Sequence, residues 1–184
     1  IIRRHNGFIN QYLGDAIMAL FPGSADDALA AAVEMKKGID DFNEKRKQDK
    51  KSTILIGIGM HTGPLIMGIT GDKDRMDATT ISDTVNTASR IENLTKHYKA
   101  GILLSEATLK QVQHPENFHL RYLGRVQVKG KQSAIGIHEC FSGNTEDEIR
   151  VKQKTLPIFN EAMHHYLNKS FDVAISSSQS ASEV

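Results

Sequence analysis

Apolar and polar positions change period several times along this chain, and each change marks an element. Phe8 to Leu13 and Ala16 to Phe21 read as two short strands, with Gly14 and Asp15 as the two-residue connection of a tight hairpin. Pro22-Gly23-Ser24 breaks the second strand. Ser24 or Ala25 then opens an Ala-rich helix through Met35 and Ile39 to Phe42, where apolar residues recur at helical spacing. Glu44 to Lys51 is charged and almost without apolar residues, as expected for the solvated end of that helix and a loop. Thr53 to Met60, β-branched and apolar, predicts a buried strand, joined through His61-Thr62-Gly63-Pro64 to another at Leu65 to Ile69. Gly68, Gly71 and Asp72 to Arg75 predict a loop, and Met76 to Ser82 leads into a helix. There Asp83 or Thr84 serves as cap, and Val85, Ala88, Ile91 and Leu94 draw one apolar stripe.

Gly101 to Leu104 is a short buried strand, and Ser105 caps a helix over Glu106 to Val112, with Pro115 ending that region. His119 to Leu123 and Val126 to Val128 read as strands about Gly124, and Lys129-Gly130-Lys131 as a basic turn before a strand at Ile135 to Phe141. Strands and helices alternate with hairpins included, which predicts an α+β or α/β sandwich, helices covering a mixed sheet. Ser142-Gly143-Asn144 marks a boundary between residues 1–141 and 142–184. Beyond it Phe159, Ala162 and Tyr166, then Phe171 and Ala174, predict one helix and the start of a second, similar to half of a tetratricopeptide-type repeat. The Ser-rich end, Ser176 to Ser182, is expected to be frayed or truncated.

Composition narrows the partners. With 39% hydrophobic and 24% charged residues among 184, the chain can bury a full core as one domain plus an appendage. A formal charge of +1 and 6% aromatics with no Trp argue against nucleic acid, so any anion binding must be local. One cysteine, Cys140, excludes an internal disulfide framework and fits a reducing compartment, and no secretory signal or membrane-length apolar run occurs. A cytoplasmic location is the expectation, with tethering of a longer protein left open. Because the chain opens on Ile and enters an element at once, it is expected to be a fragment.

Candidate chemistry is concentrated in the helix opened by Asp83. Asn86 and Arg90, four residues apart, sit one above the other on a helix, an amide beside a guanidinium, which suits an anionic or polar ligand. Asp15 at its hairpin tip is either a turn residue or a ligand for a hard cation. His61 at a strand end suits a structural hydrogen bond. The Lys-Gly-Lys turn is an exposed turn or a point charge for phosphate. Neither phosphate-binding glycine pattern occurs, which argues against P-loop and dinucleotide folds.

The segments Asn10 to Phe21, His61-Thr62-Gly63, Thr79 to Glu92 and Val128 to Lys131 resemble, in order and spacing, the class III adenylate/guanylate cyclase catalytic domain over roughly residues 1–141. The resemblance implies a ferredoxin-like βαββαβ core acting as a homodimer, with active sites in the cleft between subunits. It also implies conversion of ATP to 3′,5′-cyclic AMP and pyrophosphate with two Mg²⁺ or Mn²⁺ ions per site. By position, Asp15 matches the second metal aspartate, Asn86 the ribose-orienting asparagine, Arg90 the arginine on the reacting phosphate and Lys129 the lysine on the terminal phosphates, with Lys131 beside it. Gln11 and Thr79 match the base-recognition positions. Thr79 fits the adenylate pattern and Gln11 neither the adenylate nor the guanylate one, so GTP is the alternative substrate. The family's first metal aspartate belongs upstream of Ile1, so the fragment alone is expected to be inactive, and an upstream sensor or regulatory domain is expected. Two further readings remain at this stage: a non-catalytic regulatory and dimerisation domain on the same fold, and an unrelated ferredoxin-like RNA-binding module.

Overall fold

A computed structural model describes residues 1–72, 75–127 and 133–182, and their side chains outside 69–81 and 180–182. Its centre is a four-stranded sheet in the order β3-β6-β8-β7, formed by Ile58–Met60 (β3), Ile102–Ser105 (β6), Leu120–Val126 (β7) and Ile135–Cys140 (β8). β3 and β6 are parallel, as a crossover requires, and the other pairings are antiparallel. Because side chains alternate across a strand, β6 and β8 feed two cores. Ile102, Leu104 and Cys140 pack with Leu29 and Ala32 of helix α1 (Ala25–Gln48). On the other face Leu103 and Ile137 pack with Ile91 of helix α2 (Asp83–Tyr98). The result is the expected α+β sandwich, a mixed sheet between helices.

Two antiparallel hairpins stand apart from this sheet: Phe8–Leu13 (β1) with Ala16–Leu20 (β2), and Ile66–Asp72 (β4) with Arg75–Ile81 (β5). The second corrects the sequence reading. Thr53 to Met60 and Leu65 to Ile69 do not pair with each other, and the glycines Gly68 and Gly71 lie in strand β4, opposite Thr79 and Met76 of β5, rather than in a loop. Only Ile58–Met60 of the expected longer strand is strand. The preceding backbone is tied to α1 instead: the Asn43 amide brackets Ile54, donating to its carbonyl at 2.8 Å and accepting from its N–H at 2.7 Å. Arg46 Nε donates to the Ser52 carbonyl at 2.6 Å. With those groups satisfied by side chains, an edge strand gains nothing there, and Leu55 stays 91% exposed despite its apolar character.

Other boundaries moved for local reasons. Helix α1 runs on through the charged segment to Gln48. Helix α3 (Glu106–Leu109) stops short of Val112 because the next turn tightens to three-residue hydrogen bonds, Gln111 and Val112 donating to Thr108 and Leu109. Asp26 then captures the N–H groups of Gln113 and His114 at 2.8 and 2.9 Å. Burial pulls the Asp26 carboxyl up, but these backbone donors and the Ser24 hydroxyl outweigh it and hold the group below its ordinary value. β7 is one strand rather than two, carried through a bulge between Tyr122 and Gly124, with Gly124 at φ 111°, a conformation that L residues with a Cβ rarely adopt. The end of the chain is helical: α4 (Glu146–Leu167) opens on a Thr145/Glu148 capping box, and α5 (Phe171–Ser182) includes the Ser-rich stretch expected to fray. Ala162 of α4 and Ala174 of α5 are buried, and Tyr166 meets Phe171 edge-on at the turn between the two helices.

Candidate active site

Helix α2 is seated before any of its polar residues can act. Its cap is Ser82, not Asp83 or Thr84: the Ser82 hydroxyl accepts from the Thr84 N–H at 2.9 Å and donates to the Pro64 carbonyl at 2.7 Å. Thr84 Oγ1 donates to the same carbonyl at 2.7 Å, so the start of the helix is bolted to the His61–Pro64 turn. Thr87, Ile91 and Thr95 are its fully buried residues, and the two threonines satisfy their hydroxyls on the carbonyls of Asp83 and Glu92. Val85, Ala88 and Leu94 of the anticipated stripe are only half-buried. The helix lies against β3 so closely that a Cβ at Gly59 would fall 2.2 Å from the Glu92 nitrogen and 2.4 Å from the Ala88 oxygen. Only glycine admits that approach.

Burying Thr87, Ile91 and Thr95 turns Asn86 outward and exposed, with the half-exposed Arg90 one turn further. Among the described residues neither side chain has an ion pair or hydrogen-bond partner. An amide and a guanidinium held ready on a pinned helix can offer up to seven N–H donors to one anionic group.

Asp15 sits at the tip of the β1–β2 hairpin, exposed, after Gly14 at φ 65°. It likewise has no ion pair among the described residues, and no group of three His, Cys, Asp or Glu gathers there or elsewhere among them. Gln11, opposite Met18 on the same hairpin, is exposed. A bulge between Ile9 and Gln11 leaves Asn10 as the extra residue, and its buried Nδ2 has no protein partner. The hairpin packs against the short 3-10 turn at Ile2–His5, whereas α2 packs against β3 and β6. The structure therefore places Asp15 and Gln11 on one element and Asn86 and Arg90 on another, with separate packing partners.

The remaining candidates are described less fully. Thr79 is placed in β5 opposite Gly68 of β4, with its side chain outside the described set. Lys129 and Lys131 lie outside the described residues. A cleft of about 600 Å³ opens between the His61–Ile66 segment, Ser82–Thr84 and Ala107. Its walls include none of Asp15, Asn86 and Arg90. His61 at its edge has the structural bond expected of it, Nδ1 to Ser105 Oγ at 2.7 Å. Sequence reasoning missed Ser82, whose place two residues before Thr84 at the end of an extended run was a usable cap signal. It also missed Glu139, a carboxylate in a largely apolar strand.

Comparisons with known proteins converge. The family model described as the Adenylate and Guanylate cyclase catalytic domain matches residues 8–168. A protein named adenylate cyclase from Anabaena cylindrica is 48% identical over 139 residues, covering 72% of this chain and 28% of its own length. The terminal-differentiation-specific adenylate cyclase of Dictyostelium discoideum is 36% identical over 184 residues, 97% of this chain and 9% of its own. The chain thus spans under a third of the length of these curated relatives. Among solved structures, the adenylyl cyclase CyaB from P. aeruginosa superimposes with a TM-score of 0.66 at 26% identity, over 75% of this chain and 73% of that one.

Proposed function

The chain belongs to the adenylate and guanylate cyclase catalytic domain family, and on that premise we propose that it converts ATP to 3′,5′-cyclic AMP and pyrophosphate as part of a longer cytoplasmic signalling protein. In this reaction the 3′-oxygen forms a bond to the α-phosphorus as the bond from that phosphorus to the pyrophosphate oxygen breaks. The observation that carries the reading is the pair of exposed Asn86 and half-exposed Arg90, unpartnered among the described residues on a helix pinned at both its cap and its glycine-flanked face. Donors fixed before the substrate arrives stabilise growing charge without reorganising. Arg90 is assigned to the reacting phosphate and Asn86 to the ribose. Lys129 is assigned to the terminal phosphates, and Gln11 and Thr79 to the base.

The family is generally metal-dependent. Asp15 suits a share in that role, since Mg²⁺ is usually held by one or two carboxylates together with substrate phosphates, and this carboxylate is exposed at the hairpin turn with no ion pair among the described residues. Two divalent ions would lower the pKa of the attacking hydroxyl and clamp the phosphates. Asp15 would supply one carboxylate to that pair; residues 1–141 are assigned as the catalytic part and 142–184 as an extension.

Placement of Asp15 on the β1–β2 hairpin and of Asn86 and Arg90 on α2, elements with different packing partners, fits a homodimer in which each site takes its metal carboxylate from one subunit and its phosphate donors from the other. In the full-length protein, Asp15→Ala and Arg90→Ala chains should each be inactive alone. Mixed, they should recover activity in the heterodimer, which retains one intact site. Absence of recovery, with heterodimer formation verified by tag capture, would rule out the shared site.

GTP is the competing substrate, and Gln11 is the reason: its amide can pair with adenine or, flipped, with guanine. At matched magnesium and nucleotide, kcat/KM should be higher for ATP. A higher value for GTP would reassign the enzyme to guanylate cyclases and leave the rest of the reading in place.

A further inference from the structure

On β8 the side chains of Ile135, Ile137 and Glu139 point to one face of the sheet, and Cys140 to the other. That first face is the one on which α2 packs. Ile135 and Ile137 meet the α2 cluster, but Glu139, next along the same row, is charged and nonetheless fully buried. What covers it is α4. Lys152 Nζ reaches Glu139 Oε1 at 2.5 Å, and Arg121 Nε, from the residue facing Glu139 on β7, reaches Oε2 at 2.5 Å.

The contact continues along α4 at helical spacing. Gln153 meets His119, Phe159 lies under the Arg121 guanidinium at 4.9 Å, and the Met163 methyl stands 3.5 Å from where a Gly124 Cβ would be. Leu123, next to Gly124 in the bulge, belongs to the α2 cluster with Leu94 and Tyr98. Helices α2 and α4 are therefore neighbours on one sheet face, each packed on the β7 bulge, α2 at Leu123 and α4 at Gly124.

We propose that α4 is a strap whose docking over Glu139 sets how the C-terminal half of α2 is seated on the sheet, so that release of the strap loosens the helix that carries Asn86 and Arg90.

Energetics favour a strap over a permanent part of the core. A buried ion pair roughly breaks even, its desolvation cost offsetting its Coulombic gain, whereas the same charges left half-paired are strongly unfavourable. Docking through Glu139 is thus nearly all or none, and its net stability comes from apolar packing such as that of Phe159 and Met163 on β7. Elements with few buried apolar contacts open ahead of the global unfolding reaction. Undocking returns Glu139, Lys152 and Arg121 to water, where each is stable alone.

Hydrogen exchange on this chain tests the strap directly. Two variants act on different contacts: Lys152→Met removes one arm of the ion triad, and Phe159→Ala removes apolar packing while leaving the triad. Each should speed exchange across residues 148–165 by about tenfold or more and speed the last turns of α2, residues 94–98, with it, while β6 (102–105) is unchanged. Release of α4 with residues 94–98 unaffected would overturn the coupling. So would equal acceleration in β6, which would make α4 part of the global core, or no change in α4 in either variant. The consequence for catalysis rests on the cyclase reading: in the full-length protein Phe159→Ala should lower kcat about threefold to tenfold with KM little changed. A wild-type protein without cyclase activity would defeat that reading and leave the exchange result standing.

Discussion

Arg90→Ala in the full-length protein should lower kcat by about 100-fold to 1,000-fold while leaving folding almost untouched, the range seen when one preorganised donor to a transition-state anion is removed. The asymmetry between activity and stability follows from where the residue sits. Arg90 is half-exposed on the flank of α2 beside the buried stripe of Thr87, Ile91 and Thr95, and no carboxylate among the described residues depends on it, so truncation leaves no buried charge unpaired. Lysine should restore little, because one ammonium cannot reproduce the planar fork of a guanidinium on a phosphate. The check is steady-state kinetics beside a thermal melt. A fall in Tm of more than a few degrees, or an activity loss under tenfold, would move Arg90 from the reacting phosphate to a structural or peripheral role. Asn86→Ala should give a smaller loss in the same direction.

The largest stability effect is expected at Glu139, far from that chemistry. Glu139→Ala leaves Lys152 and Arg121, each only 20% exposed, facing each other without a counter-ion. Breaking a buried ionic cluster by removing one partner costs about 3–5 kcal/mol while α4 stays docked, and release of α4 caps the loss at the free energy of docking. For a chain of this size each kcal/mol lost lowers Tm by about 2–4 °C. The informative control replaces the whole cluster: Glu139→Leu with Lys152→Met and Arg121→Met should recover most of the loss, because the desolvation cost leaves with the charges. If the triple variant is as unstable as Glu139→Ala, the cluster contributes through its specific hydrogen bonds rather than by neutralising a charge, and the near-balanced docking inferred for α4 is wrong.

How much of this could be read from residues alone differs element by element. The Gly14-Asp15 turn was legible because a two-residue hairpin depends on a positive φ at a single position and on nothing distant. Helix α2 and the shared outward face of Asn86 and Arg90 were legible for the same reason, since a spacing of four settles the facing of two residues once the helix exists. Which residue capped it was harder: Ser82, Asp83 and Thr84 are all competent, and Ser82 won because its hydroxyl could also reach the Pro64 carbonyl, a tertiary contact. Strand pairing was harder still. β4 could be imagined against the strand before it or the strand after it, and the outcome turned on Asn43 and Arg46 of α1 satisfying the backbone around Ile54.

Glu139 shows the limit in its sharpest form. In the sequence it interrupts an apolar strand and would ordinarily be turned towards solvent, yet its parity with Ile137 directs it inward. Its burial is tolerated because Arg121 faces it from β7 and Lys152, 13 positions later and on a different element, arrives over it. By itself, then, the sequence determined what depends on backbone period and local chemistry: the first hairpin, the amphipathic helices, the Asn86 and Arg90 face, and the motif order that identified the family. The tertiary structure decided what depends on competition between distant partners: the pairing of β4 with β5, the packing of the Asp15 hairpin and of α2 against different elements, and the buried charge beneath α4. Period is set residue by residue through allowed dihedrals, whereas pairing and burial are settled by which of several satisfiable hydrogen-bond and charge arrangements leaves the fewest polar groups alone.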